Sequence, residues 1–362
     1  MKATEKDLSN LKVPGGIKAI DDIAAGYKAY QVLMTATEKG LFDWLDVKGE
    51  STGEEISMAM NINGMFIRSF LQALVDMGML TSKNDRFANT GIAADFLVGS
   101  KAYYQGVWLK TISGKGSKWD DLKATLMMDK PGTDNFYAGP SREFIQALAE
   151  RSMRGELQDV TKTIEAWEGF PKAKRAIDIG GSHSLYAIAL CQANPGLKAV
   201  VFDKPHVIPF TGEYIKRYSV EGRVSVQGGD ILQDDLGNGY DIVIISHLLY
   251  KFRKDLPAIF SKVSGCMNLG GLLVTNHWFC SPSCGTAPGG IQELDKSLNR
   301  FGHPLCHPDD FSASLGKNGF EVLAVKDVPS IYGASKMYLA TKGPSVRKNG
   351  ASKKKSSCAC CE

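Results

Sequence analysis

Apolar residues recur at helical spacing through residues 17–45, with Ile20, Ile23, Ala24, Tyr27, Tyr30, Leu33 and Met34 ahead of Gly40 and the set Leu41, Phe42, Trp44 and Leu45. Thr52, Gly53, Glu54 and Glu55 have the form of a capping box, which opens the next helix. A second stripe over residues 63–79, made of Ile67, Phe70, Leu71, Leu74 and Val75, stops near Gly78. Residues 81–90 set Lys83, Asn84 and Asp85 between short apolar ends and predict a hairpin. Helix, helix, hairpin is the order of a winged helix, so DNA binding has to be weighed.

Past a helical stretch at residues 142–168 the pattern changes. Short β-branched runs at 176–179, 199–202, 224–226, 242–245 and 272–275 leave room for helices between most of them. The expected fold is α/β, a Rossmann-type doubly wound parallel sheet behind an α-helical, winged-helix-like N-terminal domain. The expected boundaries are 1–110 for the helical domain, 111–170 for a helical linker and substrate wall, 171–342 for the Rossmann domain and 343–362 for a disordered basic tail.

Charge removes the DNA reading. The formal net charge of the 362 residues is +4, but Lys342, Arg347, Lys348, Lys353, Lys354 and Lys355 face only Glu362 at the C-terminal end, so the body is slightly acidic. Between Thr52 and Thr90, Arg68, Lys83 and Arg86 are outnumbered by Glu54, Glu55, Asp76 and Asp85, a poor footprint for phosphate counterion release. No nucleic-acid partner is expected. No apolar run is long enough for a bilayer and residues 1–10 are polar, so no membrane partner and a cytoplasmic location are expected. The eight cysteines are then reduced thiols rather than a disulfide framework.

Asp178, Ile179, Gly180, Gly181, Ser182, His183 and Ser184 follow an apolar strand and open a helix, where a Rossmann sheet holds its cofactor. A pyrophosphate would be repelled by Asp178; the α-amino group of S-adenosylmethionine would not. Asp203 ends the second strand, where a carboxylate can accept from both ribose hydroxyls, and Gly228, Gly229, Asp230 and Ile231 end the third, where an acid beside an apolar side chain suits an adenine. Ser246, just past the fourth run, completes the candidate cofactor set.

These motifs, with Val201 to Ile208, Tyr240 to Tyr250, Gly270 to Leu273, Glu38 to Phe42 and Ala88 to Thr90, resemble the S-adenosylmethionine-dependent methyltransferases that include plant caffeate and hydroxyindole O-methyltransferases and their bacterial relatives. The similarity runs over about residues 26–340. It implies S-adenosylmethionine as cofactor, a small-molecule acceptor, and a homodimer whose N-terminal domains interlock. Ser182 and Ser184 stand where the family usually has glycines.

In the O-methylating members a histidine after the fourth strand deprotonates the acceptor. By resemblance that position is Tyr250 here, followed by Lys251 and Phe252, and the supporting glutamate falls near Leu305. A tyrosine there resembles the bacteriochlorophyllide C-methyltransferase branch. Tyr250 could orient an acceptor or simply be a packed pocket aromatic. His247 could replace the base or serve a structural or cofactor-side role. His277, at a strand's carboxyl end, is a further candidate base.

His277, Cys280, Cys284, His303, Cys306 and His307 offer zinc-type donors, but the spacing matches no common zinc motif, and independent thiols and histidines are the expectation. The tail cluster Cys358, Cys360 and Cys361, behind three lysines, is expected to be solvated and inert, with metal binding, mixed disulfides or contact with an acidic partner as the alternatives. Leu148, Met153 and Trp108 are candidate acceptor-pocket residues, by resemblance to a region that lines the pocket. A missing base directs the expectation towards C-, S- or acidic O-methylation of an aromatic or tetrapyrrole-like acceptor. Two other readings stay open: cofactor-assisted decarboxylation or hydroxylation on the same fold, and a non-enzymatic winged-helix binding or regulatory protein.

Overall fold

The structure is a computed structural model that describes residues 15–127, 140–280, 289–298 and 305–344. The chain divides into two compact units, Met1–Lys110 and Thr111–Glu362. None of the described helices is long and apolar enough to cross a membrane.

In the first unit, helices Ile17–Glu38, Leu41–Lys48, Gly53–Met60, Gly64–Asp76 and Gly91–Phe96 accompany a small sheet of β1 (Ser51–Thr52), β2 (Leu80–Lys83) and β3 (Arg86–Asn89) in the order β1-β3-β2. The capping box forms: the Thr52 hydroxyl accepts from Glu55 N and the Glu55 carboxylate accepts from Thr52 N. Asn84 and Asp85 turn the hairpin with φ of 50° and 55°, a left-handed pair that these two residue types tolerate. Leu41, Phe42, Ile56, Leu71 and Leu74 are fully buried at its centre, each contributing roughly 1.5–3 kcal/mol of burial.

The second unit carries seven strands, β4 (Arg175–Ile179), β5 (Lys198–Asp203), β6 (Val224–Gly228), β7 (Tyr240–Ser246), β8 (Met267–His277), β9 (Phe320–Val328) and β10 (Ser335–Lys342), in the order β6-β5-β4-β7-β8-β10-β9. The first five in that order run parallel, and β10 is antiparallel to both neighbours. Each of the five runs expected from sequence lies inside one of the parallel strands. The antiparallel pair β9 and β10 is additional. Strand order reverses between β4 and β7, which opens a crevice at their carboxyl ends, where ligands bind such sheets. The helical stretch expected over residues 142–168 is two helices, Arg142–Ser152 and Glu156–Glu165, parted at Gly155, whose φ of 117° no ordinary side chain adopts. That break brings Arg151 and Glu156 to one point.

Candidate active site

At the crevice, β4 ends in Asp178 and Ile179, and the chain turns through left-handed Gly180 (φ 74°), Ser182 (φ 30°) and Ser184 (φ 61°) into the helix Leu185–Ala193. Ser182 and Ser184, expected by resemblance to stand where glycines are usual, thus adopt conformations that favour glycine. A Cβ on Gly181 would lie 2.5 Å from Asp178 Oδ2, and one on Gly180 would lie 2.9 Å from Leu248, which follows β7. The loop is therefore closed down onto its own strand end and its neighbour.

Asp203 pins this loop. Its Oδ2 accepts from Ser182 N at 3.0 Å, its Oδ1 accepts from Lys204 N at 2.7 Å, and its own carbonyl accepts from Gly229 N at 2.9 Å. Thr211 holds the far side, donating to the Ser182 carbonyl at 2.5 Å. Asp230 Oδ1 accepts from Leu232 N at 2.9 Å beside the buried Ile231, so its carboxylate is oriented by its own turn. Ser246 is half-buried at the end of β7.

Asp178 differs from the other two acids. It is 2% exposed, and Oδ2 has no hydrogen-bond partner among the described residues. Burial first, and then the charge of Asp203, push its pKa up to about 7. A buried carboxylate left unpaired is costly, and a cation beside it would remove most of the cost. An ammonium group is the natural partner, so the edge fits the amino acid end of S-adenosylmethionine.

A second cluster surrounds Tyr250, on the short 3-10 turn Leu249–Phe252 after β7. Its hydroxyl accepts from Trp278 N at 2.7 Å and lies 2.9 Å from His247 Nδ1. His247 has φ 51°, unusual for a histidine, and its N–H donates to the Asn276 carbonyl at 2.9 Å. Its ring packs on Trp278 at a centroid distance of 4.3 Å. Its Nε2 faces Glu156 Oε1 at 3.2 Å. Glu156 is 4% exposed, accepts from the Tyr186 hydroxyl at 2.9 Å and lies 3.7 Å from Arg151. Burial alone would raise the Glu156 pKa, but His247 and Arg151 outweigh it and hold the carboxyl well below its usual range.

His277 takes a different part from the one expected. It is fully buried, and its Nε2 accepts from Leu249 N at 3.1 Å, so the lone pair a base would use is already occupied by the backbone. Burial, then His247, press its pKa well below the ordinary histidine value. The residue fixes the turn that carries Tyr250. Leu305, where the family's glutamate was expected, is fully buried and donates its N–H to the Trp278 carbonyl at 2.8 Å. The acid that meets the Tyr250 cluster is Glu156, through His247. Its sequence signal was slight: it shares a helix face with Val160 and Ile164, an acid on an apolar stripe.

Two family models match the chain. A model of the O-methyltransferase domain matches residues 132–282, and one of the O-methyltransferase dimerisation domain matches residues 22–99.

The chain belongs to the O-methyltransferase family.

It is an S-adenosylmethionine-dependent methyltransferase, and the alternative of a non-enzymatic winged-helix protein falls away. Among curated relatives, N,N-dimethyltransferase OxyT of Streptomyces rimosus is 27% identical over 87% of this chain and 94% of that protein. The 3-hydroxy-5-methyl-1-naphthoate 3-O-methyltransferase of Streptomyces sahachiroi is 27% identical over 64% of this chain and 68% of that protein. In fold the methyltransferase is similar to human N-acetylserotonin methyltransferase in complex with S-adenosylmethionine, with a TM-score of 0.71, 20% identity, and 95% and 100% of the two chains covered.

Of the pocket candidates, Met153 packs against the core of the second unit, Leu148 is half-buried on the helix Arg142–Ser152, and Trp108 is 3% exposed within the first unit. Among the described residues no group of His, Cys, Asp and Glu could hold a metal. Cys280 N donates to the Cys306 carbonyl at 3.2 Å, while Cys284, His303 and the tail cysteines lie outside the described residues.

Proposed function

We propose that this methyltransferase acts on a small aromatic acceptor bearing a hydroxyl, with Tyr250 in place of the family's histidine as the group that meets it. The observation that carries this reading is the Tyr250 hydroxyl, buried and held between Trp278 N–H and His247. The naphthoate named for one relative supports an aromatic acceptor. S-adenosylmethionine, when bound, supplies an electrophilic methyl group whose leaving sulfur takes the bonding pair.

The protein's own residues do the rest. Asp178 would pair with the cofactor's amino group, Gly180, Gly181 and Ser182 would bring backbone against it, Asp203 and Ser246 would meet the ribose side, and Gly229, Asp230 and Ile231 the adenine. Leu148 and Met153 are the acceptor-wall candidates. Tyr250 would hold the acceptor in line, and alignment of that kind supplies much of the rate. His277 positions the Tyr250 turn.

The test is incubation of the purified protein with S-adenosylmethionine and a panel of phenols, naphthoic acids and tetrapyrroles, followed by mass analysis. A product heavier by one methylene group supports the reading. Loss of carbon dioxide or gain of oxygen would support decarboxylation or hydroxylation in its stead.

The working species is proposed to be a homodimer. Support comes from the dimerisation-domain match and from Ile17, Ile20, Ile23 and Tyr27, each more than half exposed along one helix. Light scattering should give twice the chain mass, falling to one chain for the double variant Ile20→Glu, Ile23→Glu.

A further inference from the structure

The role given to Tyr250 underlies one further step. A tyrosine oxygen has one proton to donate and two lone pairs. Trp278 N–H fills one lone pair, and His247 Nδ1 is the other near group. Which way the proton lies is set on the far side of the imidazole. There Nε2 faces Glu156 Oε1 at 3.2 Å and Asn276 Nδ2 at 3.5 Å. The carboxylate can only accept and requires a proton on Nε2; the amide would require Nε2 bare. The shorter, charge-assisted contact prevails, because a bare Nε2 would set two acceptors face to face in a buried site. Nδ1 is then the bare nitrogen, and Tyr250 donates to it.

We propose that Glu156, His247 and Tyr250 form a proton relay for an acceptor hydroxyl: the Tyr250 oxygen takes the acceptor's proton through its remaining lone pair while its own proton passes to His247 Nδ1. As the acceptor oxygen's electron pair forms the new bond to carbon, the pair of the broken sulfur–carbon bond stays on sulfur, which becomes neutral. The positive charge reappears on the His247 imidazolium, next to the Glu156 carboxylate, and solvent finally takes the proton. Tyr250 stays neutral throughout, which matters because burial holds its pKa well above the ordinary phenol value. His247 starts neutral, since burial lowers its pKa against the opposing pull of Glu156, with Arg151 adding to the lowering. The ionisable groups about it are Glu156 and Arg151 from the helix pair, Tyr250 from its own turn and His277 from β8. Glu156 and His247 are positioning residues, because both act through Tyr250.

The first test needs no acceptor. In the full-length protein labelled with nitrogen-15 histidine, long-range proton–nitrogen spectra should show His247 as the Nε2–H tautomer at neutral pH, assigned by its loss in His247→Asn. In Glu156→Gln its titration should move to lower pH by about one unit. A wild-type Nδ1–H tautomer, or an unmoved titration, overturns the relay. The second test uses whichever aromatic hydroxyl compound gains a methyl group in the mass assay. There kcat should fall about 100-fold in Tyr250→Phe and about tenfold in Glu156→Gln, with the double variant no slower than Tyr250→Phe. The acid limb of the Glu156→Gln profile should also move to lower pH. Additive losses, or an unmoved limb, overturn the relay. If no compound is methylated, the proposed acceptor class fails, and the tautomer still decides the relay.

Discussion

The two edges of the crevice are built by opposite means. At the β4, β5 and β6 ends, acids sit within a residue or two of their strands, and Asp203 is tied to the backbone N–H groups of Lys204 and of Ser182 in the neighbouring loop, Asp230 to that of Leu232. At the β7 and β8 ends, the working groups are tied to one another, Tyr250 to His247 and His247 to Glu156, across almost a hundred residues of chain. The first edge is a row of acids set by their own strand ends, suited to holding a ligand. The second is a network whose protons can shift, suited to a reaction.

Substitutions at the two edges should therefore separate binding from turnover. The largest effect is expected from Asp178→Asn, which removes the buried anion: affinity for S-adenosylmethionine should fall several hundred-fold by calorimetry. The same substitution should make the ligand-free protein more stable in alkali. The folded pKa of Asp178 is raised to about 7, so the folded state holds the proton more tightly than the unfolded one. Wild-type stability then drops as pH climbs from the ordinary carboxylate range to about 7, by at most roughly 4 kcal/mol. Thermal melts of wild type and Asp178→Asn should agree near pH 4 and diverge by about pH 8, with the variant higher.

Next comes Tyr250→Phe at the other edge. Its hundred-fold loss of kcat should leave S-adenosylmethionine affinity within about twofold, and a matching loss of affinity would erase the distinction between the edges.

His277→Ala should act on stability, because it orphans the Leu249 N–H and opens a cavity; a loss of about 2–4 kcal/mol in denaturant unfolding is expected. Rescue of turnover by His277→Gln would agree with a positioning role, whereas a titrating limb lost in that variant would restore His277 as a base.

The same contrast explains what could be read before the fold was known. The parallel strands and the three strand-end acids were legible, because short β-branched runs and a carboxylate at a strand's end are local patterns. The antiparallel pair was not, since the apolar residues of β9 do not follow its burial, Leu323 and Val325 being exposed. Tyr250 was legible as a departure from a resemblance, but its partners were not. Glu156 opens a helix, where an acid ordinarily serves the helix dipole, and nothing local says that it meets a histidine ninety-one residues later. His277 misled for a related reason. A histidine at a strand's carboxyl end has a chemist's address, and only the Leu249 N–H seated on its Nε2 reveals the structural job. Ser182 and Ser184 were legible as departures from the resemblance, though not as residues held in left-handed conformations.

That last point supplies the smallest expected effect. Ser184→Gly relieves a left-handed serine while making the unfolded chain more flexible, and the two nearly cancel, so stability should change by less than about 1 kcal/mol. S-adenosylmethionine affinity should hold as well.

The scheme turns on Asp178, whose Oδ2 has no partner among the described residues, as the proposed anchor for the cofactor's ammonium group. Calorimetry of ligand-free protein with S-adenosylmethionine, repeated at about pH 6 and about pH 8 in buffers of different ionisation heat, tests it directly. Binding is expected at both, tighter in alkali, with close to one proton released at the lower pH and almost none at the higher. Binding with no proton release at the lower pH, or no binding at all, would contradict it.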